Sequence, residues 1–128
     1  SSSFTMHSFI DELKNSRRDF DLQMDMFQEW AFTSTKHVNI KEMLDNLMKS
    51  ERKSEKMYTL YNQEVSKRGA NVFSLYSAFT NYASYADERN GFQMRNTGND
   101  TKAQTMWNRE QEVSKWVSSP QFKQLVAA

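Results

Sequence analysis

The feature that most constrains this chain is a long apolar repeat near its beginning. Hydrophobic residues recur there at alternating spacings of four and three, which return side chains to one face of an α-helix. The repeat consists of Met6, Ile10, Leu13, Arg17, Phe20, Met24, Phe27 and Ala31. We call it the heptad seam. It predicts a long N-terminal helix, which either packs within its own chain or offers a coiled-coil surface to a partner.

Two residues decide between these interpretations of the first helix. Arg17 is the only charged member of the seam, and in a core helix its stem would be buried with its head in water. Trp30 lies one position off the seam, so it is either an additional core side chain or an exposed anchor. Arg17 and Trp30 are therefore the candidate partner-binding residues. The helix should end near Thr33, where hydroxyl side chains favour local turns.

Capping signals predict two helices in the next part of the chain. Asn39 followed by Glu42 is a plausible capping box for a second helix. The charged stretch 49–56 either continues this helix or breaks it near Ser54. A third helix should then run to Gly69, a natural C-terminal stop.

The remaining chain predicts three more helices. Asn71 can cap a fourth helix that runs to about Arg89, and residues 90–100 read as a polar loop. A fifth helix should begin at 100 or 101, and Pro120 marks the first turn of a short last one. The buried face of the fourth is predicted at Val72, Leu75, Tyr76, Phe79, Tyr82, Ala83 and Ala86. That of the fifth is predicted at Ala103, Met106, Trp107, Val113 and Val117, flanked by Trp116.

Length and composition agree with one all-α domain covering residues 1–128. A chain of 128 residues can bury a single core without staples, and three Gly and one Pro leave helices largely uninterrupted. We therefore predict a single-domain bundle of about five or six helices.

Because the chain has no Cys, disulfides and thiol chemistry are excluded. No apolar run is long enough to span a membrane. The missing initiator Met suggests a fragment of a longer protein.

No pattern of catalytic, cofactor-binding or metal-ligating residues is recognisable in the sequence. His7 and His37 are 30 positions apart and have no suitably spaced carboxylates, so both are expected at the surface. The phosphate-binding loop, the dinucleotide glycine fingerprint and the Gly-x-Ser-x-Gly motif are missing. We predict that this chain is not an enzyme and needs no cofactor or metal, although a site in a missing N-terminal part would change that.

One stretch is compatible with binding of single-stranded nucleic acid. Basic side chains bracket the predicted polar loop, and an aromatic ring inside it could stack on a base. The candidate residues are Arg89, Phe92, Arg95, Lys102 and Arg109. The alternative is ordinary solvated charge, as for a second basic cluster at 49–56, because the formal net charge is only +1.

The segment 71–82, Asn-Val-Phe-Ser-Leu-Tyr-Ser-Ala-Phe-Thr-Asn-Tyr, resembles a known motif. It is similar to the Asn-Thr-x-Trp-x-Leu-Tyr-Asn-Ala-x-Thr-x-Tyr stretch near the C-terminus of a phage- and plasmid-encoded family of unknown function. The most specific matches are Leu75, Tyr76, Ala78, Thr80 and Tyr82. The resemblance covers about the last two-thirds of the chain.

This sequence departs from the family motif at two positions. Phe73 stands where the family favours Trp, and Ser77 where it favours Asn. The resemblance implies the helical C-terminal part of a longer protein of mobile-element origin, working in the bacterial cytoplasm. We therefore expect a non-enzymatic helical binding or assembly module with a protein partner or self-association. The alternative is a DNA-metabolism accessory protein that binds single-stranded nucleic acid.

Overall fold

A computed structural model describes the backbone of residues 20–84 and 100–127, and side chains for 25–84 and 107–127. Six helices follow one another within these ranges, and neither range contains a β-strand. They are α1 (Phe20–Phe32), α2 (Ile40–Met48), α3 (Glu51–Arg68), α4 (Val72–Ala83), α5 (Asp100–Val117) and α6 (Pro120–Ala127). The predicted all-α architecture is confirmed.

Side-chain caps set the boundary between α2 and α3. The Asn39 carboxamide oxygen accepts the Glu42 N–H at 3.0 Å and starts α2, as predicted. Lys49 ends α2 in the left-handed conformation, with φ of 53°. Ser50 then starts α3 by accepting the Lys53 N–H at 3.3 Å. Of the two predicted alternatives, the structure shows a break between two helices. It lies four residues before Ser54, because Ser50 supplies the cap.

The predicted C-terminal end of α4 is wrong. We expected this helix to run to about Arg89, but it ends at Ala83, where the Ser84 hydroxyl donates back to the Thr80 carbonyl at 2.9 Å.

Three other predicted boundaries are found. Gly69 ends α3 with φ of +88°, a region that L side chains rarely adopt. Asn71 caps α4 by accepting the Ser74 N–H at 2.9 Å. Ser119 accepts the Phe122 N–H at 3.2 Å at the start of α6. Each of these residues has the backbone freedom or the side-chain oxygen that a helix terminus requires.

The core is built around α4, which packs against α1, α3 and α5. The predicted inner face is confirmed by the buried residues Val72, Leu75, Tyr76, Phe79, Tyr82 and Ala83, and Ala86 lies outside the described residues. Phe79 is completely buried, with its ring centroid 5.4 Å from that of Trp116 and 6.0 Å from that of Phe122. The Phe79 ring of α4 therefore packs against both α5 and α6.

Trp30 belongs to this core. Its side chain is 2% exposed, and its ring contacts Tyr76 at 5.2 Å and Phe122 at 5.6 Å between centroids. The exposed-anchor alternative for Trp30 is therefore wrong. A position one residue off the heptad seam turns the indole toward α4 and α6, where burial of a large ring is most favourable.

The described end of the heptad seam lies on the flank of α1. Phe27 is half-buried and packs edge-on against Phe73 at 5.1 Å, whereas Ala31 is exposed. The next residue, Phe32, is 89% exposed. The side chains of the other seam members, Arg17 included, lie outside the described residues. The seam therefore does not mark the centre of the buried face of α1.

Backbone hydrogen bonds join the loop after α1 to the loop before α4. The Thr35 N–H donates to the Ala70 carbonyl at 3.0 Å, and the Val72 N–H donates to the Thr33 carbonyl at 3.0 Å. Thr35 is buried, and its hydroxyl forms a 2.6 Å hydrogen bond with the Tyr61 hydroxyl. These bonds fix the C-terminal end of α1 against the start of α4.

Candidate binding surface

Most of the predicted nucleic-acid residues lie outside the described part of the chain. This is so for Arg89, Phe92 and Arg95, and for the side chain of Lys102, whose backbone belongs to α5. Arg109 is the one member whose side chain the structure describes. The predicted cluster as a whole is therefore not tested.

Arg109 connects α5 to the C-terminal end of α4. Its Nη1 donates to the Tyr82 carbonyl oxygen at 2.9 Å, and its guanidinium carbon lies 4.2 Å from the centroid of the Tyr82 ring. A cation at the C-terminus of a helix satisfies orphan carbonyls and the helix dipole, and the ring adds a cation–π contact. In this arrangement Arg109 stabilises the helix pair.

Glu112 extends this contact to α3. The Tyr82 hydroxyl donates to Glu112 Oε1 at 2.8 Å, and Lys53 Nζ lies 2.6 Å from Oε2. Lys53 belongs to the second basic cluster, so part of that cluster's charge is neutralised by a contact between helices, although both side chains stay about one-third exposed. The carboxylate of Glu112 thereby links three helices, a role that its position among other charged residues did not indicate.

Glu64 is a buried carboxylate, only 4% exposed, between α3 and α4. The Asn81 amide donates to its Oε1 at 2.7 Å. Arg68 Nη1 lies 2.9 Å from Oε2 but outside hydrogen-bonding angles, so the contact is an ion pair. The same Nη1 donates to the Ser77 hydroxyl at 2.7 Å. A buried carboxylate needs such partners, and these hold the two helices together.

A third polar cluster contains a serine, a lysine and a carboxylate. The Ser54 hydroxyl donates to Asp45 Oδ1 at 2.5 Å, and Lys41 Nζ lies 3.0 Å from the same atom. The Ser54 hydrogen bond, and then the one from Lys41, lowers the pKa of Asp45. Ser54 is completely buried, so no substrate can reach its hydroxyl. The cluster joins α2 to α3 and is not a nucleophilic site.

The outward-facing side of α5 presents a different surface. Trp107 is 53% exposed, which makes its predicted place on the inner face wrong, whereas Val113 and Val117 are buried as predicted. Trp116 is 4% exposed and marks the true inner face. Nine residues separate the two tryptophans, or about two and a half helical turns, so they lie on opposite sides of α5.

Polar residues continue this side of α5 after Trp107. Gln111 and Ser114 follow it at spacings of four and three, and Gln111 is exposed. Glu110 and Lys115 lie on either side of this stripe, and both are exposed. We call Trp107, Gln111 and Ser114, with Glu110 and Lys115 at their borders, the α5 face. The heptad-like spacing was visible in the sequence, but the inward orientation assigned to Trp107 concealed it.

The described residues were compared with the requirements of metal binding and of membrane insertion. They contain no group of three or more His, Asp or Glu side chains able to hold a metal ion. Within the same ranges, no helix is long and apolar enough to cross a membrane. Comparison with protein-family models, with curated proteins and with solved structures finds no match to this chain.

Proposed function

We propose that this chain is a non-enzymatic helical assembly module that associates with a second copy of itself through the α5 face. The observation that supports this most directly is the exposed Trp107 on the side of α5 opposite the core. Tryptophan is strongly enriched among residues that dominate binding energy in protein interfaces. A phage or plasmid origin and a role in the bacterial cytoplasm remain part of the proposal, on the motif resemblance.

The borders of the α5 face favour pairing between copies. With Trp107 and Ser114 at d positions and Gln111 at an a position of a heptad, Glu110 takes a g position and Lys115 the following e position. In a parallel pair of helices, a g residue meets the e residue five positions further along the partner. Glu110 of one copy would therefore face Lys115 of the other, twice by symmetry.

The single-stranded nucleic-acid alternative receives less support. Arg109 is two positions from Trp107, a rotation of about 200°, so its guanidinium and the exposed indole lie on different sides of α5. The guanidinium is moreover held on Tyr82. The exposed carboxylate of Glu110 lies one helical turn after the indole and would repel a phosphate backbone.

Sedimentation velocity tests the proposal. The protein concentration should run from about 1 to 500 μM, a range on the order of the weak dissociation constants expected of a small interface. We expect a concentration-dependent shift from the 15.1 kDa monomer to a dimer. Trp107→Ala should weaken association by about 30-fold or more, the effect of losing a central hot-spot residue of about 2 kcal/mol. Phe32→Ala, which removes an exposed ring outside the α5 face, is the matched control and should leave association unchanged.

Charge exchange tests the orientation. Glu110→Lys or Lys115→Glu alone should weaken the dimer, because each creates two like-charge contacts. The double variant should restore the dimer, because the opposite charges still face each other with their positions exchanged. A monomer at every concentration would overturn the proposal, and a dimer indifferent to Trp107→Ala would place the interface elsewhere.

A further inference from the structure

The molecule has a second surface feature, separate from the α5 face, where α2 meets α6. A groove of about 420 Å³ lies between the two helices, within the size range of ligand-binding clefts. Met43 and Leu125, 8% and 4% exposed, contribute apolar surface to it. Its lining lies entirely within the described residues.

The borders of the groove are rich in side-chain amides. Asn46 of α2 lines it from one side, and Gln121 and Gln124 of α6 line it from the other. All three are exposed. Each carboxamide offers both a donor and an acceptor, which is the complement of a peptide group. An amide-lined groove with apolar residues beneath suits an extended peptide, whose backbone can bond at the borders while a side chain enters between them.

Glu42 adds charge to this groove. It is exposed, lines the groove one helical turn before Asn46, and has no ion-pair partner in the described part of the chain. A helical turn of four residues rises about 6 Å, close to the 6.6–6.8 Å that separates alternate residues of an extended strand. Alternate residues of a strand face the same way, so a bound peptide can place one side chain beside Glu42 and bond Asn46 two residues further on.

We propose that this groove binds a short extended peptide segment of a partner protein that carries a basic residue two positions before an apolar one, so that both side chains face the groove. The carboxylate of Glu42 attracts the basic side chain, and Met43 and Leu125 contact the apolar one. The amides of Asn46, Gln121 and Gln124 bind the peptide backbone. This inference goes beyond the proposed self-association, and neither depends on the other.

The test is a ¹H–¹⁵N NMR titration of the whole chain with acetyl-Lys-Gly-Leu-Gly-amide, in which Lys and Leu are alternate residues. Two matched peptides replace Lys by Glu, or Leu by Ser. We expect shifts concentrated at residues 37–46 and 121–125. The Lys-Leu peptide should bind about 2- to 30-fold tighter than the Glu-Leu peptide, the range for turning one exposed charge attraction into repulsion. The Lys-Ser peptide should bind more weakly because it lacks the apolar contact.

Two isosteric variants make the result decisive. Glu42→Gln should bring the Lys-to-Glu preference close to one while preserving the helix cap, which uses the backbone N–H of residue 42. Glu55→Gln, at an exposed position outside the groove, should leave the preference intact. Shifts elsewhere, equal binding of the three peptides, or a preference that survives Glu42→Gln would each overturn the proposal. Groove variants should not alter sedimentation, so failure here is distinct from failure of the α5 face.

Discussion

The packing of α4 makes Phe79→Ala the most informative stability experiment. The Phe79 ring is completely buried and contacts both Trp116 and Phe122. Truncating a buried phenylalanine typically costs about 3–5 kcal/mol, through lost transfer free energy and the cavity that remains. Each lost aromatic pair adds about 0.5–1.5 kcal/mol beyond area. Since this ring has two such contacts, we expect a loss in the upper half of the range, about 4–5 kcal/mol.

Urea unfolding followed by circular dichroism at 222 nm measures this loss directly. With a slope of about 1.5–2 kcal/mol per molar, the midpoint should fall by about 2–3 M. A domain of this size is typically stable by about 5–15 kcal/mol, so the variant should remain at least partly folded. Phe79→Leu keeps most of the volume and should cost clearly less, which provides a usable variant if the alanine form is too unstable.

A second substitution tests whether the ring contacts themselves contribute. Phe122→Ala should be similarly destabilising, and the double variant should lose less than the sum of the two, with a coupling of about 0.5–1.5 kcal/mol. A loss below about 1 kcal/mol for Phe79→Ala would show that this side of α4 is not buried as described. If the losses of the two single variants add up exactly in the double variant, the two rings are buried but do not stabilise each other.

Three further predictions concern the polar contacts. Thr35→Val should cost about 1–3 kcal/mol in urea unfolding because it strands the buried Tyr61 hydroxyl, and adding Tyr61→Phe should recover most of the loss. Asn71→Ala should cost about 1–2 kcal/mol, more than Asn39→Ala, because Asn71 also donates to a carbonyl at the end of α3. The pKa of Asp45, followed by NMR, should lie below 3.8, so its stabilising contribution is present above that pH and is lost as the pH falls through the folded-state value.

Four helix boundaries could be predicted because they depend on local chemistry. Asn39, Gly69, Asn71 and Pro120 each act within one turn of their own position, through a side-chain cap, a left-handed φ or a fixed φ. The position of the break after α2 was harder to predict, because Ser50 and Ser54 are both serines in a charged stretch. Only the structure shows that one caps the helix while the other is buried at a helix–helix contact.

The orientations of Trp30 and Trp107 could not be predicted with the same local reasoning. Each lies close to an apolar stripe, and a helical repeat fixes relative positions around an axis but not which side faces the core. The seam through Phe27 and Ala31 suggested one side of α1, whereas packing against α4 and α6 selected the side of Trp30. That choice depends on neighbouring helices distant in sequence, and a periodicity does not identify them.

The carboxylates that join helices explain why functional residues were difficult to predict from charge. Glu64 and Glu112 look like solvent-facing residues in the sequence, yet each binds groups from neighbouring helices. The same holds for Arg109, whose candidate role rested on its place beside a basic loop, whereas its guanidinium caps α4. Polar groups used in this way are unavailable to a ligand. The surfaces left for recognition are therefore those whose side chains the fold does not use, and on α5 that criterion selects Trp107.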